Sequence, residues 1–361
     1  MFIFHLASLL VLVISVLPLT LHTHWSVRVF DFPRVQIIVA TLLLLAVYLI
    51  EGVIHVDKVT TITTVMIGLL LCVLSYQVAW IFRYTPLSRA EVKKTKNYLP
   101  QRSLRILSVN VLQTNTNYSA LLHHIEQYCP DIIVTLETDK AWEKALADVE
   151  KLYPYTVKIP QDNLYGMHVF SQYPLQNTET KFRIKQDIPS ISTDVMLTIN
   201  GRLRPVKMYF LHPMPPSPTE SPTSLSRDQE LILVAKEIAE YKEPCVVAGD
   251  LNDVAWSKTT RLFRKLSGLL DPRIGRGFFN TFHAGIPFLR WPLDHIFHSH
   301  HFTLNTIKRL DSIGSDHFPI FIDLQLQENE SEKSVKKQDT ALDDHEKALL
   351  EQRMEDVSDA N

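Results

Sequence analysis

The chain has 361 residues, of which 46% are hydrophobic and 21% charged, with a net charge of −2. That length holds one sizeable domain plus further segments. The balanced charge provides no broad basic field for nucleic acid, and three cysteines rule out a disulfide framework. Residues are unevenly distributed: very apolar at the start, mixed in the middle, highly charged at the end.

Three apolar runs come first, Phe2 to Leu21, Val35 to Ile50 and Ile62 to Phe82. Each approaches the roughly 20 residues a helix needs to cross the hydrocarbon core. Glu51 marks the end of the second, which is the shortest. The first lacks the basic n-region of a cleaved signal peptide and is followed by two more runs, so the reading is a three-span transmembrane region over residues 1–82. Trp25, Trp80 and Tyr84 fall where interfacial aromatic belts are expected. Arg28 and Arg34 lie between the first two spans, and Arg83, Arg89, Lys93, Lys94 and Lys96 follow the third. By the positive-inside rule these stretches, and the domain beyond them, are cytoplasmic. Residues 83–103, with Pro86, Pro100 and many charges, read as a basic juxtamembrane linker. Fully extended, it reaches at most roughly 70 Å, which keeps the following domain near the bilayer.

From residue 104 to 326 the pattern is α/β. Leu104 to Val111 is a strand with Asn110 near its end. Tyr118 to Tyr128 has helical spacing at Leu121, Leu122 and Ile125, stopped by Pro130. Asp131 to Leu136 is a strand followed at once by Glu137, which reads as a metal ligand at a strand end or as part of a helix cap with Thr138 and Asp139. Gly166 to Phe170 is a strand breaking at Pro174. Asp194 to Ile199 and Arg204 to Leu211 form a hairpin on Asn200-Gly201, the second strand running into His212-Pro213. Pro213 to Pro222 is an irregular loop. Leu225 to Tyr241 is an amphipathic helix. Val246 to Asp253 (VVAGDLND) is a buried strand that stops at Gly249 and delivers Asp250 and Asn252 to one side. Read alone it is a strand with an Asp/Asn turn. Ser257 to Leu266 is a helix whose basic face reads first as solvated and second as phosphate-facing. Trp291 to His298 is a strand carrying Asp294, and Asp316-His317 precede the last strand, within Gly314 to Ile322. Residues 327–361 form a charged tail, read as disordered or as a solvated helix around Leu342 to Met354, with no chemistry. The three cysteines are read as packing residues.

Asn110, Glu137, His212, Asp250, Asn252, Asp294, Asp316 and His317 thus all sit at or beside strand ends. Each has a structural explanation; their joint placement is hard to explain by packing. The donors are oxygens, amides and imidazoles without cysteine, a set that suits Mg²⁺ or Mn²⁺.

In order, LSVNV, VTLETD, GMHVFSQYPL, the strand into HP, VVAGDLND, PLDHIF and SDHFPI resemble the motifs of the endonuclease/exonuclease/phosphatase superfamily over about Leu104 to Leu326. The resemblance implies a four-layer α/β/β/α sandwich behind three transmembrane helices, and metal-assisted cleavage of a phosphoester. It implies that Glu137 binds the divalent cation with Asn110 and Asp316 nearby. Asp250 would position or deprotonate the attacking water, and Asn252 would hold the phosphate. His317, oriented by Asp294, would stabilise developing charge, and His212 would assist the leaving group. Gln172 replaces a frequent arginine, which removes one possible phosphate or structural contact; Tyr173 is retained. His168 and His295 are extra histidines, read as packing residues before ligands. The three spans and the HPMPP loop are similar to bacterial membrane-anchored members, one of which acts on polyprenyl pyrophosphate with its catalytic domain facing outward. This orientation opposes the one from charge. The leading expectation is a multi-pass (inner) cell-membrane phosphoesterase acting on a phosphorylated substrate such as a membrane lipid phosphate. The alternatives are a metal-dependent nuclease, with nucleic acid the less favoured partner, and a catalytically silent membrane interaction module.

Overall fold

The computed structural model describes residues 1–55, 60–327 and 342–358. Its N-terminal region is built on α1 (Phe2–Val16), α3 (Arg34–Ile54) and α4 (Thr61–Ile81), with a short α2 (Trp25–Arg28) between the first two. All three long helices, α1 counted with its 3₁₀ extension to Leu19, are long and apolar enough to cross a membrane. They pack on one another through Val11, Ile37, Tyr48, Leu70 and Val73. The second span is not the shortest: α3 continues past Glu51 to Ile54, because a single carboxylate at the end of an apolar helix can face outward without ending it.

The remainder is two facing sheets. One contains β1 (Ser103–Asn110), β2 (Ile132–Leu136), β3 (Tyr155–Ile159), β4 (Met167–Ser171), β10 (Phe302–Arg309) and β11 (Ile320–Leu326), in the order β10-β11-β1-β2-β4-β3. The other contains β5 (Leu175–Lys181), β6 (Ser190–Ile199), β7 (Arg202–Leu211), β8 (Cys245–Asp250) and β9 (Asp294–His298), in that order. Strand periodicity builds the layers. In β1, Leu104 and Ile106 enter the core between the sheets. Leu107 and Val109 point the other way, onto α5 (Tyr118–Tyr128) and α6 (Lys140–Ala145). On the second sheet, Tyr209, Leu211 and Val247 face α7 (Leu225–Glu240) and α8 (Lys258–Ser267). The result is the expected α/β/β/α sandwich. Asn200 and Gly201 both take positive φ, 51° and 74°, as the tight hairpin turn requires.

Among the described residues, five labelled elements escape sequence reading: α2, β3, β5, β10 and α6. The strands β3, β5 and β10 are sheet edges, and β5 is polar and largely exposed, so no apolar alternation marks it.

Several sequence expectations are corrected. The basic face of α8 lies outside the cavity lining and is only partly solvated, with Arg261 still exposed. Arg264 is buried and pairs with Glu91 at 2.5 Å, Lys258 donates to the Leu19 carbonyl at 2.6 Å, and Arg261 stacks on Trp80 at 4.5 Å. Residues 83–103 and the apolar N-terminal region cover much of this helix face. The tail forms the expected helix, α9 (Asp344–Ser358), and much of it is exposed, but one face docks on the domain: Leu349 is buried, and Arg353 pairs with Asp228 at 2.9 Å; residues 328–341 of the tail lie outside the described residues. Tyr84, assigned to an aromatic belt, is buried and donates to the Ala255 carbonyl at 2.6 Å. Of the cysteines only Cys245 is a packing residue; Cys72 and Cys129 are exposed.

Candidate active site

Topology gathers the polar residues. β1 runs parallel to β2, and β7 parallel to β8, so Asn110, Glu137, His212 and Asp250 leave their strands on the same edge. β9 is antiparallel to β8 and begins there, with Asp294 opposite Asp250 in register. Two glycines are obligatory. At Gly249 (φ +146°) a Cβ would lie 2.0 Å from the Leu211 carbonyl oxygen, and at Gly166 it would lie 1.8 Å from that of Thr138. The first allows β8 to approach β7 just before Asp250; the second holds the turn after Glu137. Glu137 and Asn252 themselves have φ of 60° and 52°. Left-handed backbone at such residues costs about 1–3 kcal/mol each and concentrates at functional sites.

The side chains form one connected cluster. Asn110 donates through Nδ2 to Glu137 Oε1 at 2.7 Å and faces Asp250 Oδ2 at 3.3 Å. His317 spans two carboxylates, with Nδ1 2.7 Å from Asp294 Oδ2 and Nε2 3.5 Å from Asp250 Oδ2. His212 Nε2 lies 3.9 Å from the same Asp250 oxygen. The Asn252 backbone N–H donates to Asp250 Oδ1 at 2.8 Å, and its side-chain amide to the Pro213 carbonyl at 3.0 Å. Ser315 Oγ ties the Asp316-His317 turn to the end of β1 by donating to the Asn110 carbonyl at 2.8 Å.

Burial sets the charge states. It pushes Glu137 up to about 7, opposed by the Asn110 hydrogen bond and His317 and reinforced by Asp316 and Asp250. It raises Asp250, against the pull of His317, and it lowers His212 to about 4, so that histidine is neutral. His317 goes the other way. Burial works against its charge, but Asp294 and then Asp250 overcome it and hold the ring protonated to about 10.

Glu137, His212, Asp250, Asn252, Asp316 and His317 line a cavity of about 600 Å³, with Asn110 and Asp294 bonded to them from behind. The rest of its lining is mostly apolar: Trp25, Val29, Phe30, Phe32 and Pro33 from the connection between the first two long helices, Leu289, Trp291 and Leu293 from the loop before β9, and Leu164, Tyr165 and the Pro215–Glu220 loop. Among the described residues lining it there is no lysine or arginine.

Glu137, Asp250, Asp294 and Asp316 are thus faced by one imidazolium, and Asp294 Oδ1 is buried with no partner. That excess of hard oxygen donors fits a divalent cation. One ligand atom each from Asp250, Asp294 and His317 lie within 4.8 Å of one another, a second corner with cation-holding geometry. There, however, His317 already uses its protons to join the two aspartates. Glu137, held through one oxygen by Asn110, faces the cavity beside Asp316 without such a commitment.

All eight residues singled out from the sequence are therefore local to one site. The extra histidines are not in its lining. His295 is buried behind it, its Nε2 2.8 Å from the Asp253 carbonyl and its Nδ1 2.6 Å from Arg273, and His168 is a core residue of β4 whose ring nitrogens have no partner. Gln172 donates to the Pro130 carbonyl at 3.3 Å, at the opposite end of β2, so its replacement of arginine removes no phosphate contact.

Sequence reasoning missed three parts. Tyr165 packs against His212 with its ring tilted by 40° (centroids 5.2 Å) and hydrogen-bonds Glu220 across the cavity wall. Arg227, fully buried, donates to the Asn252 carbonyl at 2.8 Å while pairing with Asp228 at 2.9 Å and Asp253 at 3.4 Å. An arginine on a polar helix carries no such signal. The third is the Trp25–Pro33 wall, which reads in sequence as a mere connection.

A carboxylate-rich site with an Asp-bonded histidine at the strand ends of a two-sheet sandwich suits phosphoester hydrolysis with a divalent cation. The chain belongs to the endonuclease/exonuclease/phosphatase family, whose model matches residues 107–317. Enzymes of this family are typically hydrolases acting on phosphoesters and generally use divalent metals. Among curated protein sequences nothing matches. Solved structures share the fold. A family member from Bacteroides thetaiotaomicron is 20% identical, with 64% of this chain and 100% of that chain covered and a TM-score of 0.51. Zebrafish (D. rerio) TDP2 complexed with single-strand DNA product is 17% identical over 62% of this chain and 99% of that chain (TM-score 0.48). The human nocturnin catalytic domain with bound sulfate is 16% identical over 63% and 95% (TM-score 0.49).

Proposed function

We propose that the protein is a membrane-bound, Mg²⁺- or Mn²⁺-dependent hydrolase of a lipid-linked phosphoester or pyrophosphate. One observation carries the reading: carboxylates and imidazoles from the strand ends and the segment joining two membrane-spanning-type helices line the same cavity. A phosphate at the acidic end would leave its organic substituent against Phe30, Phe32 and Trp291, which suits a hydrocarbon and not a polyanion. The absence of lysine and arginine from the described lining argues against tracking a nucleic-acid backbone.

Glu137, with Asp316 and Asn110 beside it, would hold the cation. When bound, a divalent cation polarises the phosphoryl oxygen and offsets the carboxylates. Asp250, its proton affinity raised by burial, orients the attacking water and accepts its proton. Asn252 directs its remaining amide N–H to the phosphate. His317, kept charged by Asp294, donates to the phosphoryl oxygens as negative charge grows on them. His212, held neutral, meets the leaving oxygen as a hydrogen-bond donor.

The test is hydrolysis by the full-length protein in detergent, with Mg²⁺ or Mn²⁺: phosphate release from lipid monophosphates, lipid pyrophosphates and inositol phosphates, phosphocholine release from sphingomyelin, and nicking of plasmid DNA. Turnover of a lipid phosphate that stops with chelator is expected. Efficient plasmid nicking with every lipid phosphate untouched would overturn the reading in favour of a nuclease.

A further inference from the structure

The loop before β9 carries apolar side chains that the domain does not bury. Phe288 is 85% exposed, Leu289 43% and Ile286 42%. The depth of this loop relative to the membrane helices is fixed. The Phe288 carbonyl accepts a 2.7 Å hydrogen bond from the side-chain amide of Gln36, the third residue of α3. At 1.5 Å per residue, Gln36 lies only about 3 Å into that helix. The 21 residues of α3 span about 30 Å, the thickness of a hydrocarbon core. A group tethered to its first turn therefore sits at the boundary between acyl chains and headgroups.

This loop is also a wall of the catalytic cavity. Leu289 and Trp291 line it, and Trp291 meets Phe32 edge-to-face at 5.6 Å. The facing wall, from the connection before α3, carries Val29, itself 45% exposed. Two apolar lips thus flank the cavity at membrane depth, one from each part of the chain.

We propose that the loop Ala284–Arg290 is inserted in the bilayer, and that it and Val29 form a lateral mouth through which the hydrocarbon chain of the substrate extends into the lipid. The partner of the loop is the acyl-chain region of the membrane. The statement about the substrate chain rests on the lipid reading above; the insertion of the loop does not.

Two measurements separate these parts. For insertion, Phe288→Cys is made in a Cys72→Ala, Cys129→Ala background, labelled with bimane, and reconstituted in phosphatidylcholine/phosphatidylglycerol nanodiscs containing a shallow nitroxide lipid. The control is Leu152→Cys, also exposed but next to Tyr153, which bonds Pro130 at the far end of β2. Quenching at 288 and not at 152 is expected; equal fluorescence at both positions would overturn the insertion. For the mouth, Phe288→Asp should lower kcat/KM for a long-chain lipid phosphate in nanodiscs roughly tenfold or more. Turnover of soluble bis(p-nitrophenyl) phosphate should be unchanged, because Phe288 is outside the cavity lining, and Phe288→Leu should retain activity on both. Equal loss on both substrates, or no loss on the lipid, would overturn the mouth. Should the protein cleave no lipid phosphate at all, the substrate reading falls, and quenching still decides whether the loop is inserted.

Discussion

Replacing Asp294 by asparagine isolates what holds His317 charged. The two side chains have the same shape, and the backbone of residue 294 stays anchored through its N–H to Thr281 Oγ1 at 3.1 Å. What changes is one buried negative charge 2.7 Å from the imidazole. With an effective dielectric of about 20, unit charges at that separation attract by about 6 kcal/mol, and at the 3.5 Å of Asp250 by about 5 kcal/mol. The larger attraction is lost while the burial cost remains, so the ring's pKa, now about 10, falls back toward neutrality. Activity that needs the protonated ring declines as pH rises through this pKa. The alkaline limb of kcat/KM should therefore lie near pH 10 in the native enzyme and move toward neutral pH in Asp294→Asn. Turnover at pH 8 should drop by roughly 10²–10⁴, the usual worth of a positioned proton donor. The assay is a pH–rate profile in Mg²⁺, with a thermal melt to verify folding. A folded variant with an unshifted alkaline limb would refute the assignment of His317 as the charged donor.

Glu137 is partly protonated near pH 7 in the cation-free protein, and only its carboxylate binds a cation. Mn²⁺ affinity by calorimetry should fall from pH 8 to pH 6 with proton release to the buffer, and Glu137→Gln should abolish both binding and turnover; a pH-independent affinity would contradict this. Gly249→Ala must place a methyl 2.0 Å from a backbone oxygen at φ +146°, so a loss of about 2–4 kcal/mol in chemical denaturation is expected; a melt equal to wild type would show that β8 can move away. Arg353→Met strips one partner from the buried Asp228 and frees α9 from the Leu21 carbonyl. It should cost about 3 kcal/mol and expose the tail to protease, with Asp228→Asn recovering part of the loss.

The central strands were legible in the sequence because they are apolar on both faces and end abruptly in single polar residues. Asn110, Glu137 and Asp250 stand out for that reason, and Gly249 beside them. Arg227, Asp228 and Arg353 did not, because a buried ion network on amphipathic helices has the same composition as a solvated face. The misreading of α8 has the same cause: Lys258, Arg261 and Arg264 look like surface charge until Leu19, Trp80 and Glu91 are brought against them. Periodicity reports which side of a helix is apolar, but what covers the polar side is decided by tertiary contacts.

The same contacts change how the membrane region is understood. Asp31, in the connection between α2 and α3, accepts charge from Arg28 at 3.2 Å and Arg34 at 3.4 Å. Arg34 reaches Gln77 of α4 at 2.8 Å, and Gln77 reaches Ser15 of α1 at 3.1 Å. The Asp31 carbonyl in turn accepts from the indole N–H of Trp256 at 2.8 Å, just beyond β8. All three membrane-type helices are thus linked by side-chain hydrogen bonds to the loop that follows Asp250. Two arginines that would count toward orientation by charge are consumed in this network, which weakens any reading of sidedness from them. Its geometry instead ties the apolar wall of the cavity to the carboxylates opposite. A tether needs none of these bonds, since a linker of the length found at residues 83–103 would suffice. Their presence is the physical reason to treat the three apolar helices as part of the candidate site rather than only as an anchor.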